Sequence, residues 1–206
     1  MDYGFFRACA ASPVLKPADV DFNAAAIEEA ISSAAEGGAS LVLFPELSLT
    51  GYTCADLFHQ EVLLRAAEEA LPRVAAAAAE AGVVAVVGLP LALKGALWNC
   101  AAVLSGGAVA GVVPKSYLPN YKEYYEARWF SPGAAETPLS VSLLGERVPF
   151  GASLLFEART GGGSEGGTPF LFGIEVCEDL WVPLPPSTLL ALRGAALILN
   201  PSASTE

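Results

Sequence analysis

The chain has 206 residues, of which 53% are hydrophobic and 16% charged, and its formal charge at pH 7 is −11. This length is enough for one sizeable core, and the acidic balance excludes a nucleic-acid-binding surface, because few cations are present to neutralise phosphates. Neither a run of about 18 uncharged apolar residues nor a basic segment followed by an apolar one occurs, so we expect no membrane span and no secretory signal.

The cysteine and histidine content limits the kinds of site that the chain can build. The four cysteines, Cys9, Cys54, Cys100 and Cys177, are widely separated, and the only histidine is His59. Zinc sites use closely spaced Cys pairs or several His ligands, so we predict no metal site. Reduced thiols in a chain without a leader sequence indicate a cytoplasmic protein. A Cys–His hydrolase would have to use His59.

Strands and helices alternate along the first half of the chain. In order, the pattern predicts a strand at 3–11, a helix from Asp19 or Asp21 to Glu36, a strand at 40–44, a helix at 56–71 that Pro72 restarts or kinks before it continues to Ala81, and a strand at 83–89. This alternation is typical of an α/β protein.

Hairpins and one further strand–helix–strand unit are predicted for the second half. In order, we expect a hairpin of 99–104 with 109–113, an ordered loop or short helical turns at 118–130, one or two strands at 141–156, a flexible connection at 159–168, a strand at 170–176, a helix at 185–193 and a strand at 195–199. The whole pattern predicts an α/β fold with a mixed sheet.

Three chemically active residues occupy matching places, each just after a predicted buried strand. Glu46 follows Leu-Phe-Pro, Lys115 follows Val-Val-Pro, and Cys177 follows the strand at 170–176. Taken singly, they are an ordinary surface carboxylate, a solvated lysine and a small buried hydrophobe. If the three strands are neighbours, the three side chains converge at one sheet edge, and because the same context occurs three times we expect this convergence.

Such a cluster has a coherent chemistry. A thiol must lose its proton to attack a carbonyl, and a nearby cation such as Lys115 favours the thiolate. Glu46 can accept that proton and later deprotonate water. Lys115 can then stabilise the oxyanion, together with the backbone N–H of Glu178. These residues indicate acyl transfer from Cys177 through a thioester, with release of an amine or ammonia.

Three motifs carry a resemblance to a known family. They are Leu-Phe-Pro-Glu-Leu-Ser-Leu-Thr-Gly-Tyr (43–52), the Pro-Lys-Ser-Tyr to Arg-Trp-Phe segment (114–130) and Gly-Ile-Glu-Val-Cys-Glu-Asp-Leu-Trp (173–181). The chain resembles the nitrilase, or carbon–nitrogen hydrolase, superfamily and, more closely, the glutaminase domains of the glutamine-dependent NAD(+) synthetase family. The resemblance implies a four-layer α-β-β-α sandwich, with residues 1–206 forming the glutamine amidohydrolase domain.

The resemblance also implies roles for individual residues. By motif match, the glutamate, lysine and cysteine above are general base, acid and oxyanion partner, and nucleophile. Glu123 matches an additional glutamate beside the triad, and Tyr121 matches a glutamine-contacting tyrosine; simple loop packing is the alternative for both. Ser202 and Ser204 fall in a segment that contacts the amino-acid end of the substrate, and we favour Ser204.

The chain departs from the synthetase family in one respect. That family carries a second domain with a Ser-Gly-Gly-x-Asp-Ser phosphate loop, which uses ATP and Mg²⁺ to activate deamido-NAD(+), and this sequence has no such motif. We therefore expect a fragment, incomplete at its C-terminus, that binds glutamine, needs no cofactor itself and belongs to a homo-oligomeric ligase. The alternatives are a stand-alone amidase acting on another small amide and a catalytically silent assembly surface.

Overall fold

The computed structural model describes residues 5–93, 95–133, 139–160 and 167–204. The helices are α1 (Val20–Glu36), α2 (Glu61–Glu80) and α3 (Pro186–Leu192). The strands are β1 (Ala8–Ala10), β2 (Leu41–Leu43), β3 (Val84–Leu93), β4 (Ala96–Ser105), β5 (Ala108–Pro114), β6 (Leu139–Leu143), β7 (Glu146–Phe150), β8 (Leu155–Arg159), β9 (Pro169–Ile174) and β10 (Ala195–Leu199). Short 3₁₀ turns span Ala55–His59, Glu126–Arg128 and Cys177–Trp181.

The strands form two sheets. A seven-stranded sheet has the order β1-β2-β3-β4-β5-β7-β6, and a three-stranded sheet has the order β10-β9-β8. In the large sheet β1, β2 and β3 run parallel, whereas β3, β4 and β5 run antiparallel. The sheet is therefore mixed, and the carboxyl ends of β2 and β5 lie on the same side of it.

The helices and sheets stack as an α-β-β-α sandwich, and two hydrophobic cores lie between its layers. One core joins α1 and α2 to the large sheet, with Ile27, Leu71 and Val87 fully buried. The other lies between the two sheets and includes Val103 and Phe172. On the opposite face of β9, a side chain added at Gly173 would come within 2.9 Å of Leu190 in α3. Helix α3 therefore covers the outside of the small sheet. The predicted four-layer fold is confirmed.

Helix α1 follows its prediction and α2 departs from it. Asp19 caps α1, since its Oδ1 accepts from Phe22 N at 3.1 Å, and the helix ends at Glu36. Helix α2 starts later than predicted, after the 3₁₀ turn, and continues through Pro72 without a restart. The residues Leu71 and Ala75 on either side of the proline are almost fully buried, and this packing outweighs the lost backbone hydrogen bond.

Several other boundaries differ from the sequence predictions. β3 and β4 are longer than predicted and form a hairpin of their own, and the region 139–159 holds three strands. Within the predicted flexible connection, residues 161–166 lie outside the described residues, as do residues 3 and 4 of the predicted first strand. Among the residues that the structure describes, no helix has both the length and the apolar character needed to cross a membrane.

The condition considered for convergence, that the three strands before Glu46, Lys115 and Cys177 are neighbours, is not met. β2 and β5 belong to the large sheet but are separated by β3 and β4, and β9 belongs to the small sheet. The residues meet nevertheless, because the two sheets face each other and their loops gather at one end of the sandwich.

Candidate active site

A tight turn after β2 presents Glu46. Within it Leu47 has a φ of 53°, and the turn packs on β3, where Gly88 N donates to Ser48 Oγ and Leu49 N donates to Gly88 O, both at 3.0 Å. A side chain at Gly88 would come within 2.2 Å of Leu47 N. Only glycine lets the strand approach the turn this closely, and this contact fixes the position of Glu46.

Lys115 follows β5 directly and places its ammonium group between two carboxylates. Nζ lies 2.6 Å from Glu46 Oε1 and 2.7 Å from Glu126 Oε1, and none of the three side chains is more than 1% exposed. The lysine backbone is also held, since its N donates to Asn99 O at 2.8 Å and its O accepts from Gly133 N at 2.7 Å. The position of the ammonium is therefore set by both its side chain and its main chain.

Burial and charge act on this cluster in opposite directions. Burial alone would lower the pKa of Lys115, but the neighbouring Glu46, Glu126 and Cys177 raise it above its ordinary value. Burial raises the pKa of Glu126, and Glu46 raises it further, while Lys115 opposes both effects. At neutral pH Lys115 is therefore an ammonium ion, which can stabilise a developing oxyanion but cannot act as a base.

Cys177 is the first residue of the 3₁₀ turn Cys177–Trp181, which follows the end of β9 at Ile174. Its φ of 46° is in the left-handed region, which costs a residue other than glycine about 1–3 kcal/mol. The loop after β10 holds this turn, because Cys177 N donates to Pro201 O at 3.0 Å and Asn200 Nδ2 donates to Cys177 O at 3.4 Å. The strained backbone is thus held by the loop that follows β10.

The same loop links the sulfur to the carboxylate. Ser202 Oγ donates to Cys177 Sγ at 3.2 Å, Ser204 Oγ lies 3.7 Å from that sulfur, and Ala203 N donates to Glu46 Oε2 at 3.2 Å. The thiol and the carboxylate are therefore held by adjacent residues of one segment.

The Cys177 thiol is protonated at neutral pH. Burial raises its pKa, and the negative charge of Glu46 raises it further. Lys115 and the hydroxyls of Ser202 and Ser204 act in the opposite direction without cancelling the increase. A nucleophilic attack by this sulfur consequently needs a base, and Glu46 is the carboxylate with the strongest electrostatic effect on it.

The structure therefore brings the predicted Glu46, Lys115 and Cys177 together. The only histidine, His59, is exposed at the end of the turn Ala55–His59, beside Asp56. A Cys–His arrangement consequently finds no support in the described structure.

The second carboxylate on Lys115 is Glu126, so the prediction of Glu123 at this place is corrected. Glu123 is exposed and lines a shallow hollow of about 110 Å³ together with Tyr125 and Trp129. The segment 118–130 has no clear periodicity, so sequence spacing did not indicate which glutamate points inward. A usable signal was the large apolar residue Phe130, because residues four positions apart lie on the same face of a helical turn and Phe130 is expected to point into the core. In the structure, Phe130 N donates to Glu126 O at 2.9 Å.

Sequence reasoning missed two polar residues that hold the carboxylates. Asn99 Nδ2 donates to Glu46 Oε1 at 2.7 Å and reaches Glu126 Oε2 at 3.4 Å, and Tyr52 OH donates to Glu126 Oε1 at 2.7 Å. Asn99 is 1% exposed, so an asparagine within an otherwise apolar strand was the available signal.

The remaining predicted substrate contacts lie around the sulfur. Tyr121 OH donates to Glu178 Oε2 at 2.8 Å, and Glu178 directly follows the cysteine. Tyr121 is about half exposed, whereas Ser202 and Ser204 contact the sulfur directly. These four side chains therefore form a polar rim next to a buried thiol, where a small amide substrate would have to enter.

Comparisons with known proteins agree with this geometry. A family model described as carbon-nitrogen hydrolase matches residues 7–206. The glutamine-dependent NAD(+) synthetase of Mycobacterium tuberculosis (strain H37Rv) is 41% identical over 202 residues, which cover 98% of this chain and 29% of that protein. The synthetase of the same name from Aquifex aeolicus is 33% identical over 186 residues, 90% of this chain and 28% of that protein. This chain thus spans less than a third of the curated relatives that it matches.

Solved structures show the same similarity. A glutamine-dependent NAD(+) synthetase from Cytophaga hutchinsonii superposes with a TM-score of 0.81 at 29% identity, covering 97% of this chain and 30% of that one. An amidase from Nesterenkonia sp. superposes with a TM-score of 0.73 at 25% identity, covering 100% of this chain and 68% of that one.

Proposed function

The chain belongs to the carbon–nitrogen hydrolase family, and we propose that it hydrolyses the side-chain amide of glutamine to glutamate and ammonia through a thioester on Cys177. The observation that carries this proposal is the buried Lys115 ammonium, which is held by Glu46 and Glu126 and whose charge acts to lower the pKa of the Cys177 thiol. The similarity to glutamine-dependent NAD(+) synthetases supports glutamine as the amide.

In the acylation step, Glu46 takes the proton from Cys177 as the sulfur attacks the carboxamide carbon. The S–C bond forms and the carbonyl oxygen becomes an oxyanion, which the Lys115 ammonium and the backbone N–H of Glu178 stabilise. Donors of this kind lower a transition state by about 3–4 kcal/mol each. When the C–N bond breaks, Glu46 returns its proton to the leaving nitrogen and ammonia departs.

In the deacylation step, the same carboxylate acts on water. Glu46 deprotonates a water molecule that attacks the thioester carbon, and Lys115 again stabilises the oxyanion. The C–S bond then breaks, glutamate leaves and Cys177 recovers its proton. Because the raised pKa keeps Lys115 protonated throughout, its part is electrostatic, with Glu46 moving the protons.

We assign the polar rim to the amino-acid end of glutamine. The carboxylate of Glu178, oriented by Tyr121, suits the α-ammonium group, and the hydroxyls of Ser202 and Ser204 suit the α-carboxylate. Before substrate binds, these hydroxyls contact the Cys177 sulfur, so glutamine would replace one hydrogen bond by another at the rim.

We further propose that the released ammonia amidates deamido-NAD(+) in a ligase reaction, as part of a glutamine-dependent NAD(+) synthetase. ATP and Mg²⁺ would be bound outside these 206 residues, which act as one glutaminase domain. We place the protein in the cytoplasm, in keeping with its four free cysteines, and expect the complete enzyme to be a homo-oligomer.

The test is the release of ammonia and glutamate from glutamine, measured for wild type, Cys177→Ala and Cys9→Ala. We expect Cys177→Ala to abolish release, and Cys9→Ala, which changes a cysteine outside the site, to leave it unchanged. In the complete synthetase, Cys177→Ala should spare synthesis driven by added ammonia. Equal loss of glutamine-driven and ammonia-driven synthesis would contradict the assignment of Cys177 to the glutaminase half.

A stand-alone amidase is the second candidate. The observation in its favour is that this chain covers 68% of the amidase from Nesterenkonia sp. but only 30% of the synthetase from Cytophaga hutchinsonii. The discriminating measurement is kcat/KM for glutamine against butyramide, which lacks the α-amino and α-carboxylate groups. A preference for glutamine supports the glutaminase; equal or better use of butyramide would instead support the amidase.

A further inference from the structure

A carboxylate outside the proposed catalytic triad connects the two loops that carry Lys115 and Cys177. Asp179 is 1% exposed and lies two residues after the cysteine. Its Oδ1 accepts from Ser116 N at 3.0 Å and from Tyr117 N at 2.8 Å, and its Oδ2 accepts from Val176 N at 2.9 Å. One side chain therefore bonds the backbone just after the lysine and the backbone just before the cysteine.

No ladder of backbone hydrogen bonds joins the two strands that present these residues. Lys115 follows β5 of the large sheet and Cys177 follows β9 of the small sheet, and the described strands pair only within their own sheets. The distance between ammonium and sulfur is consequently not fixed by strand pairing. Asp179 supplies polar bonds that cross from one sheet to the other beside the site.

We propose that Asp179 is a positioning residue. Its carboxylate holds the backbone after Lys115 (residues 116–117, the Lys115 loop) against the turn that begins at Cys177, and it thereby keeps the Lys115 ammonium close enough to activate the thiol. The inference rests on the proposed thioester chemistry, but it concerns the reactivity of the sulfur and is testable without glutamine. The ionised carboxylate suits this role, because both its oxygens accept from backbone N–H groups that strand pairing does not use.

The substitution Asp179→Asn tests this positioning role, because it removes the charge with little change in the size and shape of the side chain. An amide has only one accepting oxygen, so it keeps the bonds to one loop and turns its NH₂ group toward the N–H donors of the other. Glu175→Gln is the matched control. Glu175 lies on the same segment, is 1% exposed and accepts a bond from Ser187 N at 2.9 Å, and among the described residues it makes no hydrogen bond to the backbone after Lys115.

The readout is the pH profile of iodoacetamide alkylation at Cys177, followed by peptide mass spectrometry with Cys9 as an internal reference. If Lys115 moves away, the apparent pKa of the thiol rises; a shift of about one pH unit slows alkylation at pH 7 about tenfold. Loss of the negative charge alone would lower the thiol pKa, so the sign separates the two effects. Glu175→Gln should leave the profile unchanged, even if it melts at a lower temperature.

An unchanged or lowered thiol pKa in Asp179→Asn would refute the positioning role of Asp179, whether or not the protein shows glutaminase activity. An upward shift of the thiol pKa in Asp179→Asn, together with a wild type that hydrolyses no glutamine, would support the positioning role of Asp179 and contradict the proposed function. If Asp179→Asn does not fold, hydrogen exchange in the wild type decides. The amides of Ser116, Tyr117 and Val176 should exchange at least about tenfold slower than exposed loop amides, and fast exchange at Ser116 and Tyr117 would refute the positioning role.

Discussion

Replacing Lys115 with methionine removes the one positive charge between two buried carboxylates while keeping most of the side-chain volume. The lysine Nζ contacts Glu46 at 2.6 Å and Glu126 at 2.7 Å, and solvent does not reach either contact. Removing one partner of a buried ion pair typically costs about 3–5 kcal/mol. We expect Lys115→Met to lose about this much free energy of unfolding at pH 7.5.

The loss should depend on pH with a defined sign. Without Lys115, nothing in the ion pair opposes the burial and the Glu46 charge that raise the pKa of Glu126, so this folded-state pKa rises further above its unfolded value. A group of this kind contributes stability that is present below its unfolded pKa and lost as the pH rises through its folded pKa. The deficit of the variant relative to wild type should therefore be largest above about pH 7 and shrink towards about pH 4.

Urea unfolding followed by tryptophan fluorescence at several pH values measures this deficit. Arg73→Met is the control, because Arg73 pairs with Glu28 in a partly exposed ion pair that should contribute less than about 1 kcal/mol. A pH-independent deficit, or one no larger than the control's, would refute the electrostatic reasoning. The variant should also release no rapid burst of ammonia from glutamine.

The remaining predictions concern three other positions. Glu126→Gln should slow ammonia release at least about tenfold and Glu123→Gln less than about threefold, and the reverse order would show that Glu123 rather than Glu126 acts with Lys115. Gly88→Ala should lower both the melting temperature and kcat by displacing the Glu46 turn, whereas unchanged kcat would show that the turn adapts. Because burial raises the pKa of Asp179 to about 6, stability should fall by about 3 kcal/mol as the pH rises from about 3 to 7, and Asp179→Asn should remove this contribution in urea unfolding.

The helices and most strands were predictable because their signals are local. Asp19 or Asp21 before an apolar 3.6-residue pattern predicted the start of α1, which the structure places after Asp19, and Gly37 follows its last residue. The path of α2 through Pro72 was not predictable in this way, since the helix is held by burial of Leu71 and Ala75 against distant strands. Tertiary packing overrides a local breaker, and such packing is not visible in a short sequence window.

The triad was predicted from strand-exit positions, but for an incomplete reason. Residues 46, 115 and 177 each follow a strand, and this feature is local; which strands are neighbours depends on sheet topology, which is not. The same limit explains the choice between Glu123 and Glu126 in an aperiodic loop. Asp179, by contrast, lies in the Cys-Glu-Asp motif, and only the structure shows that its carboxylate joins the backbone after β5 to the backbone after β9.

The most direct test of the proposed chemistry is to mix the protein with glutamine, quench it with acid within one turnover and measure the mass of the peptide that contains Cys177. We predict a glutamyl adduct on Cys177 in the wild type and none in Lys115→Met. Glutamine hydrolysis that persists in Cys177→Ala, or an adduct carried by a different cysteine, would contradict the assignment of this buried thiol as the nucleophile.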